Sequence, residues 1–136
     1  MTLARDIYGN VFTGGCVTLM ARAVSHQAEV LTPSNISSVN YSIYLLSNDD
    51  PQKMESVTGY TNISLSVNDV LYSELQKDKR WIIDETGYNF CHTLTNSHGT
   101  IFTLTNRDYL VVYRFTMTDD PQHEKEIILR FRIFVI

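Results

Sequence analysis

The sequence has few of the residues, and none of the motifs, that usually identify an enzyme. Its two cysteines and four histidines are scattered over 136 residues, and no two histidines have the spacing of a zinc or iron site. The nucleophile motif Gly-x-Ser-x-Gly and the glycine-rich phosphate loops do not occur. We therefore expect no catalytic residues, no cofactor, no metal and no enzymatic activity.

The charges and the apolar runs exclude two further classes of partner. The net charge is −4 with both signs interspersed, whereas a nucleic-acid-binding domain carries a basic stripe. No apolar run is long enough to span a bilayer. Met1–Asp6 is polar and is not followed by the apolar segment of a signal peptide. We expect a folded chain whose partners include neither nucleic acid nor membrane.

Cys16 and Cys91 are expected to be free thiols, because two cysteines without a secretory route suit a reducing compartment. Cys91 and His92 are neighbours in a predicted strand. Their side chains should point to opposite faces and cannot form a thiolate–imidazole pair. A nucleophilic cysteine is therefore not expected.

The end of the chain carries its clearest structural pattern. Tyr109–Met117 and Ile127–Val135 place an apolar residue at every second position, which predicts two half-buried antiparallel strands. Opposed residues must share a face, so paired numbers should sum to an even value, with a connection centred near Pro121. The predicted core-facing residues are Tyr109, Val111, Tyr113, Phe115, Met117, Ile127, Leu129, Phe131, Ile133 and Val135.

Other segments alternate in the same way, and no long helical period is present. The predicted strands are Ile7–Thr13, Cys16–Val24, Ser38–Leu46, parts of Ser56–Val67, and Tyr88–Leu94. Asp69–Leu75 fits either a helical turn behind an Asn68 cap or a bent edge strand. This spacing of short strands predicts one β-sandwich domain over residues 1–136, with about seven or eight antiparallel strands.

One short sequence occurs twice: Asp49-Asp50-Pro51-Gln52 and Asp119-Asp120-Pro121-Gln122. Each copy follows a strong predicted strand. Paired aspartates can bind calcium in principle, but calcium needs six to eight oxygens at one point. A turn in which Asp side chains cap backbone N–H groups explains both copies more simply.

Trp81 is the only tryptophan and allows two interpretations. It could be a binding anchor on the surface. It could also fill the core beneath the loop before Tyr88, and we favour this second interpretation because Ile82 and Ile83 extend the apolar run.

Three parts of the chain, Val17–Leu46, Leu75–Phe90 and Tyr109–Ile136, resemble small immunoglobulin-like proteins of tailed bacteriophages and prophages. These proteins are encoded among the virion structural genes. The run Trp81–Phe90 is the most specific part, and the resemblance covers about two thirds of the chain. It implies an immunoglobulin-like sandwich and a virion role such as capsid decoration, and it offers no catalytic residues to transfer.

The chain also departs from true immunoglobulin domains. Cys91 does not lie in the penultimate strand, so the usual disulfide between the sheets is not expected. Ser38–Leu46 has no tryptophan, and Tyr41 is the expected central side chain there. Tyr109, at the start of the penultimate strand, is a candidate tyrosine corner.

These features favour a cement or decoration protein that stabilises the capsid exterior. We expect a homo-oligomer that binds the major capsid protein or other virion proteins and assembles in the host cytoplasm. The alternative is a head–tail connector or a tail accessory component. A cellular adhesion or carbohydrate-binding module is disfavoured, because no signal peptide and no cluster of exposed aromatic residues is evident.

The predicted partner surface is the face of the terminal hairpin that points away from the core. It alternates apolar residues with arginines, as protein interfaces do. Its residues are Leu110, Val112, Arg114, Ile128, Arg130, Arg132, Phe134 and Ile136. The final strand could also pair with another chain if it lies at a sheet edge. The alternative is that a loop such as Leu75–Asp84 covers this face.

Overall fold

The computed structural model of the protein describes residues 6–25, 29–50, 52–118 and 126–136. They form nine strands, a 3-10 turn at Pro33–Asn35 and a one-turn helix, α1, at Val67–Val70. The strands are β1 Asp6–Val11, β2 Val17–Ala21, β3 Ile36–Leu46, β4 Met54–Ser56, β5 Ile63–Leu65, β6 Leu71–Gln76, β7 Tyr88–Leu94, β8 Asp108–Met117 and β9 Glu126–Val135.

The strands form two sheets that pack face to face. The larger sheet has the order β1-β9-β8-β3-β4, with β5 also paired to β3, and the smaller sheet has the order β2-β7-β6. This is the strand order of an immunoglobulin-like sandwich, so the predicted fold class is confirmed. One detail differs: β1 pairs with β9 in parallel, so the larger sheet is mixed rather than fully antiparallel.

The terminal hairpin has the predicted register. Tyr109 lies opposite Ile133 and Val111 lies opposite Phe131, so the paired numbers sum to 242 and the midpoint falls at residue 121. Eight of the ten predicted core residues are buried, and Met117 and Leu129 pack partly buried against the same core. The connection at residues 119–125, including the second Asp-Asp-Pro-Gln copy, lies outside the described residues.

Aromatic rings from both sheets meet at the centre of the sandwich. Phe90 of β7 lies with its ring centroid 4.8 Å from that of Tyr113 and 6.0 Å from that of Phe131. Tyr41 of β3 is buried, and its ring centroid is 5.6 Å from that of Tyr113. Tyr41 therefore occupies the central position expected of it.

Tyr109 forms a tyrosine corner. Its side chain is buried, and its hydroxyl oxygen accepts a hydrogen bond from the Leu104 backbone N–H at 3.2 Å. This contact ties the loop before β8 to the start of that strand. The candidate named from the sequence is confirmed.

Replacing Tyr109 with Phe should lower the free energy of unfolding by about 1–2 kcal/mol, because the Leu104 N–H loses its acceptor while the ring is retained. Urea denaturation measures this change. Tyr8→Phe is the matched control, since the Tyr8 side chain is exposed, and it should change stability by less than about 0.5 kcal/mol. Equal changes in the free energy of unfolding for the two variants would contradict the assignment of Tyr109 as a tyrosine corner.

Two local predictions are refined by the structure. The segment after Ser66 is both a helical turn and a strand: α1 is followed directly by β6, and the residue at the cap position is Ser66 rather than Asn68. In the first Asp-Asp-Pro-Gln copy, the Asp50 carboxylate accepts a hydrogen bond from the Gln52 N–H at 3.0 Å, as a capped turn requires.

The two cysteines are far apart along paired strands. The β2–β7 register places Cys91 opposite Met20, four residues along the chain from Cys16. Four residues of strand span roughly 13 Å, well beyond the reach of a disulfide. Cys16 is exposed, Cys91 is buried, and both are free. Burial raises the pKa of the Cys91 thiol, which disfavours the reactive thiolate.

Candidate partner interface

The outer face of the larger sheet carries its own apolar cluster, separate from the main core. Leu110 and Val112 of β8 and Leu46 of β3 are buried there, and Tyr44 and Ile128 pack against them. These positions meet because side chains alternate across each strand: the residues of β8 that do not face the core point to this side. The register sets Tyr44, Leu110 and Arg132 side by side on three adjacent strands.

Several large apolar side chains on the same face remain exposed to solvent. The β1–β9 register places Tyr8 beside Arg132, and the β3–β4 register places Met54 beside Leu46. The exposed fractions are 74% for Tyr8, 50% for Met54, 38% for Phe134 and 53% for Ile136. Together with the buried cluster they form a row of apolar residues across the sheet, interrupted by Asp108 on β8 and Arg132 on β9, which we call the outer-face stripe.

The arginines on this face are paired with carboxylates of the same chain. Arg132 donates a hydrogen bond to Asp108 at 3.0 Å. Arg114 lies 3.7 Å from Glu126. The Arg130 Nε lies 2.9 Å from an Asp6 oxygen but is not directed at it, so this ion pair has no hydrogen bond.

These arginines can cover apolar surface while their charged ends stay in water. A shallow groove of about 390 Å³ lies between Met54, Tyr44, Ile128 and Arg130. The face therefore carries an apolar cluster on β3 and β8, and Arg130 and Arg132 of β9 lie between that cluster and β1.

The structure places all the predicted interface residues on this one face. Leu110 and Val112 are already buried within the chain, whereas Phe134 and Ile136 are exposed and the arginines are partly exposed. Sequence reasoning missed Tyr8, Tyr44, Leu46 and Met54. Tyr44 and Leu46 alternate with the core positions of β3, a signal that becomes useful once β3 is known to pair with β8.

The structure excludes two alternatives that the sequence left open for this surface, a covering loop such as Leu75–Asp84 and pairing through an edge-lying final strand. The loop at residues 77–87 does not cover it but lies on the smaller sheet, where Arg22, just after β2, donates hydrogen bonds to Asp84 and to the Gly87 carbonyl oxygen. The final strand is also not an edge strand, because β1 occupies the side of β9 away from β8.

Trp81 does not fill the core. It is half-buried, its ring centroid lies 5.6 Å from that of Tyr88, and its Nε1–H donates to Asp84 at 3.1 Å. Ile82 and Ile83 do not extend a buried surface, since they are 88% and 75% exposed. The tryptophan holds the loop against the smaller sheet.

Polar side chains fix the rest of this loop. Arg80 donates to Asp78 and to the Tyr88 hydroxyl, and Tyr88 donates to Asp78 at 2.7 Å. Hydrogen bonds from Arg80 and Tyr88 lower the pKa of Asp78 to about 2. Burial, followed by the hydrogen bond to Asp78, raises the pKa of Tyr88 to about 12. Neither group therefore changes charge near neutral pH.

His92 lies inside the sandwich. Its Nδ1 is 2.7 Å from the Tyr113 hydroxyl, and burial lowers the pKa of the imidazole to about 4. Burial also raises the pKa of Tyr113 well above its usual value. The imidazole and the phenol are thus both neutral at neutral pH and act as a hydrogen-bonded pair in the core. His98 packs against Tyr60 in a loop, and His26 and His123 lie outside the described residues.

Within the described residues, no three His, Cys, Asp or Glu side chains are grouped so that they could hold a metal ion. In the same parts of the chain, no helix has the length and hydrophobicity needed to cross a membrane. Comparisons with protein families, with curated proteins and with solved structures found no match to this chain.

Proposed function

We propose that the protein is a non-enzymatic virion structural protein of a tailed bacteriophage, a cement or decoration protein that binds the capsid exterior through the outer-face stripe. The observation that carries this proposal is the stripe itself. Four large apolar side chains are exposed to solvent beside a buried apolar cluster and among the arginines of the same face. They are Tyr8, Met54, Phe134 and Ile136. Aromatic residues, Met and Arg are the residues enriched at protein interfaces.

The shape of this surface favours a protein partner over a small ligand. The stripe runs across the outer side of a sheet, and its groove is shallow. Small-molecule sites are concave and enclose most of their ligand. A protein surface that presents carboxylates among apolar residues would complement the stripe. Those carboxylates could replace Glu126 or Asp108 as partners of the arginines.

The resemblance of Trp81–Phe90 to phage immunoglobulin-like proteins supports a capsid subunit as that partner. In the structure this run builds the loop that folds onto the smaller sheet, on the opposite side from the stripe. The loop therefore leaves the stripe free for contact with a shell.

Met54→Glu/Phe134→Glu should weaken binding to capsids that lack the protein by at least about tenfold, because two charges would be buried at the contact. Cosedimentation with purified capsids measures this. Both side chains are exposed, so the fold should be retained. Reversing Arg130 and Arg132 to Glu is a less clean test, since it would also break their ion pairs with Asp6 and Asp108.

The matched control is Val24→Glu/Leu104→Glu, which adds the same charge at two partly exposed apolar positions outside the named strands and outside the stripe. It should bind capsids as the parent does. Equal binding by the stripe variant and the parent would contradict the proposal. Immunogold labelling of virions at the neck or tail, rather than over the shell, would contradict the cement role and favour the connector or tail alternative.

A further inference from the structure

The free edges of the two sheets differ in how they are protected from pairing with another chain. An exposed edge strand presents unpaired N–H and C=O groups, which proteins protect with charges, bulges or short length. Among the described residues, β1 carries Asp6, β4 carries Glu55, and β6 carries Glu74 together with a shift of register. β5 has only three residues.

β2 has none of these protections. Its five residues, Val17–Ala21, include no charge and no proline, and its register with β7 is unbroken. In the described part of the chain no strand pairs with its other side. Among the strands that the structure describes, β2 is thus a regular, uncharged edge strand with one unpaired side.

The loop beside β2 displays two adjacent isoleucines. Ile82 and Ile83 line a crevice of about 260 Å³ that also includes residues of β1 and β2. The Asp84 carboxylate holds the loop by accepting hydrogen bonds from the Trp81 indole and from two backbone N–H groups, those of Thr86 and Gly87, and by its ion pair with Arg22. A contact made by these isoleucines would need little further ordering of the loop.

We propose that β2 pairs antiparallel with β2 of a second copy of this chain, joining the two smaller sheets into one sheet of six strands. In a two-fold symmetric contact the same patch meets itself, so a charged strand would meet its own charge. Val17–Ala21 avoids this repulsion, and the nearest charge, Arg22, is paired with Asp84. A second copy therefore fits this edge.

The proposed contact is small, as expected for a weak and reversible association. A five-residue strand edge with the exposed parts of Ile7, Ile82 and Ile83 amounts to roughly 500 Å² per copy, at the low end for specific interfaces. We expect a reversible dimer with a dissociation constant of about 10 μM. This inference does not depend on the proposed virion role.

Sedimentation velocity over about 1–200 μM should show a monomer–dimer equilibrium in the parent. Thr18→Lys should raise the dissociation constant at least about tenfold, because a lysine on each copy lies close to the symmetry axis. Thr93→Lys is the matched control: Thr93 pairs with Thr18 and shares its hydroxyl contact at 2.9 Å, but lies on the central strand β7. It should change the dissociation constant less than about twofold.

A monomer at all concentrations, or equal effects of the two lysines, would overturn the proposal. Nitroxide labels on the exposed Cys16 provide a second readout, since Cys91 is buried. Antiparallel pairing centred on residues 18–20 separates the two Cys16 positions by roughly 15–30 Å, and a dimer without that distance would also overturn it. Met54→Glu/Phe134→Glu should dimerise as the parent does, because both residues lie outside the proposed dimer contact. The dimer proposal and the capsid proposal are therefore tested independently of each other.

Discussion

Replacing Phe131 with Ala should lower the free energy of unfolding by about 3–5 kcal/mol, the usual loss when a large aromatic side chain is removed from a packed core. Phe131 is buried on β9, and its ring centroid lies 5.7 Å from that of Tyr113 and 6.0 Å from that of Phe90. The side chain therefore connects the terminal hairpin to the opposite sheet. Urea denaturation followed by tryptophan fluorescence measures the loss.

Phe134→Ala on the same strand is the matched control. Phe134 faces away from the core and is partly exposed, so its removal should cost less than about 1 kcal/mol. The difference between the two variants tests which face of β9 is buried. Similar losses for both, or a larger loss for Phe134→Ala, would contradict the register of the hairpin.

Acidification should weaken the fold through His92. The pKa of its imidazole is about 4 in the folded protein and about 6.5 in the unfolded chain, so the unfolded state binds more protons between these values. The stability is full above about pH 6.5 and falls as the pH drops toward 4. Allowing for the partial exposure of the ring, we expect a total loss of roughly 2–3 kcal/mol.

The free energy of unfolding, measured by denaturant titration, should be lower at pH 5 than at pH 7.5 by more than half of this loss. Asp78 and Asp84 do not contribute in this window, because their pKa values are lowered and their stabilisation is lost only below about pH 4. His92→Gln keeps a polar group near Tyr113 but removes the titration, so its stability should change far less between the two pH values. An equal pH dependence in the parent and this variant would show that His92 is not the group responsible.

The terminal hairpin and the buried face of β3 could be predicted because alternation is a local property of the sequence. The alternation around Val111 and around Phe131 predicts that both side chains face the core. The even sum of paired residue numbers, with a connection centred near Pro121, predicts that the two residues lie opposite each other. The parallel pairing of β1 could not be predicted in this way. Ile7-Tyr8-Gly9-Asn10 alternates weakly, and its partner β9 lies at the other end of the chain.

The position of Trp81 was misjudged for a different reason. The apolar run Trp81-Ile82-Ile83 suggests burial, but the hydrogen bonds within the loop determine its conformation instead. Asp84 accepts hydrogen bonds from Trp81, Arg22 and two backbone N–H groups. Gly87 then turns at φ +96°, where an added Cβ would collide with the carbonyl oxygen of Gln76. These contacts leave Ile82 and Ile83 on the outside.

The sequence predicted the part of the partner surface that lies on the terminal hairpin, but not the part that lies on the flanking strands. Alternation on β8 and β9 identified the outward residues of the hairpin, but the width of the stripe depends on which strands flank it. Tyr44 and Met54 join it through β3 and β4, and Tyr8 joins it through β1. Strand order is set by packing of the whole chain, and a single strand's sequence does not contain it.

The central claim, that the outer-face stripe binds a capsid shell, is tested most directly by a cryo-electron microscopy reconstruction of particles decorated with this protein. The account predicts that the larger sheet faces the shell, with Met54, Phe134 and Tyr8 at the contact and the loop at residues 77–87 turned away from it. A reconstruction in which the stripe faces solvent, while the smaller sheet or its loop touches the shell, would contradict the account.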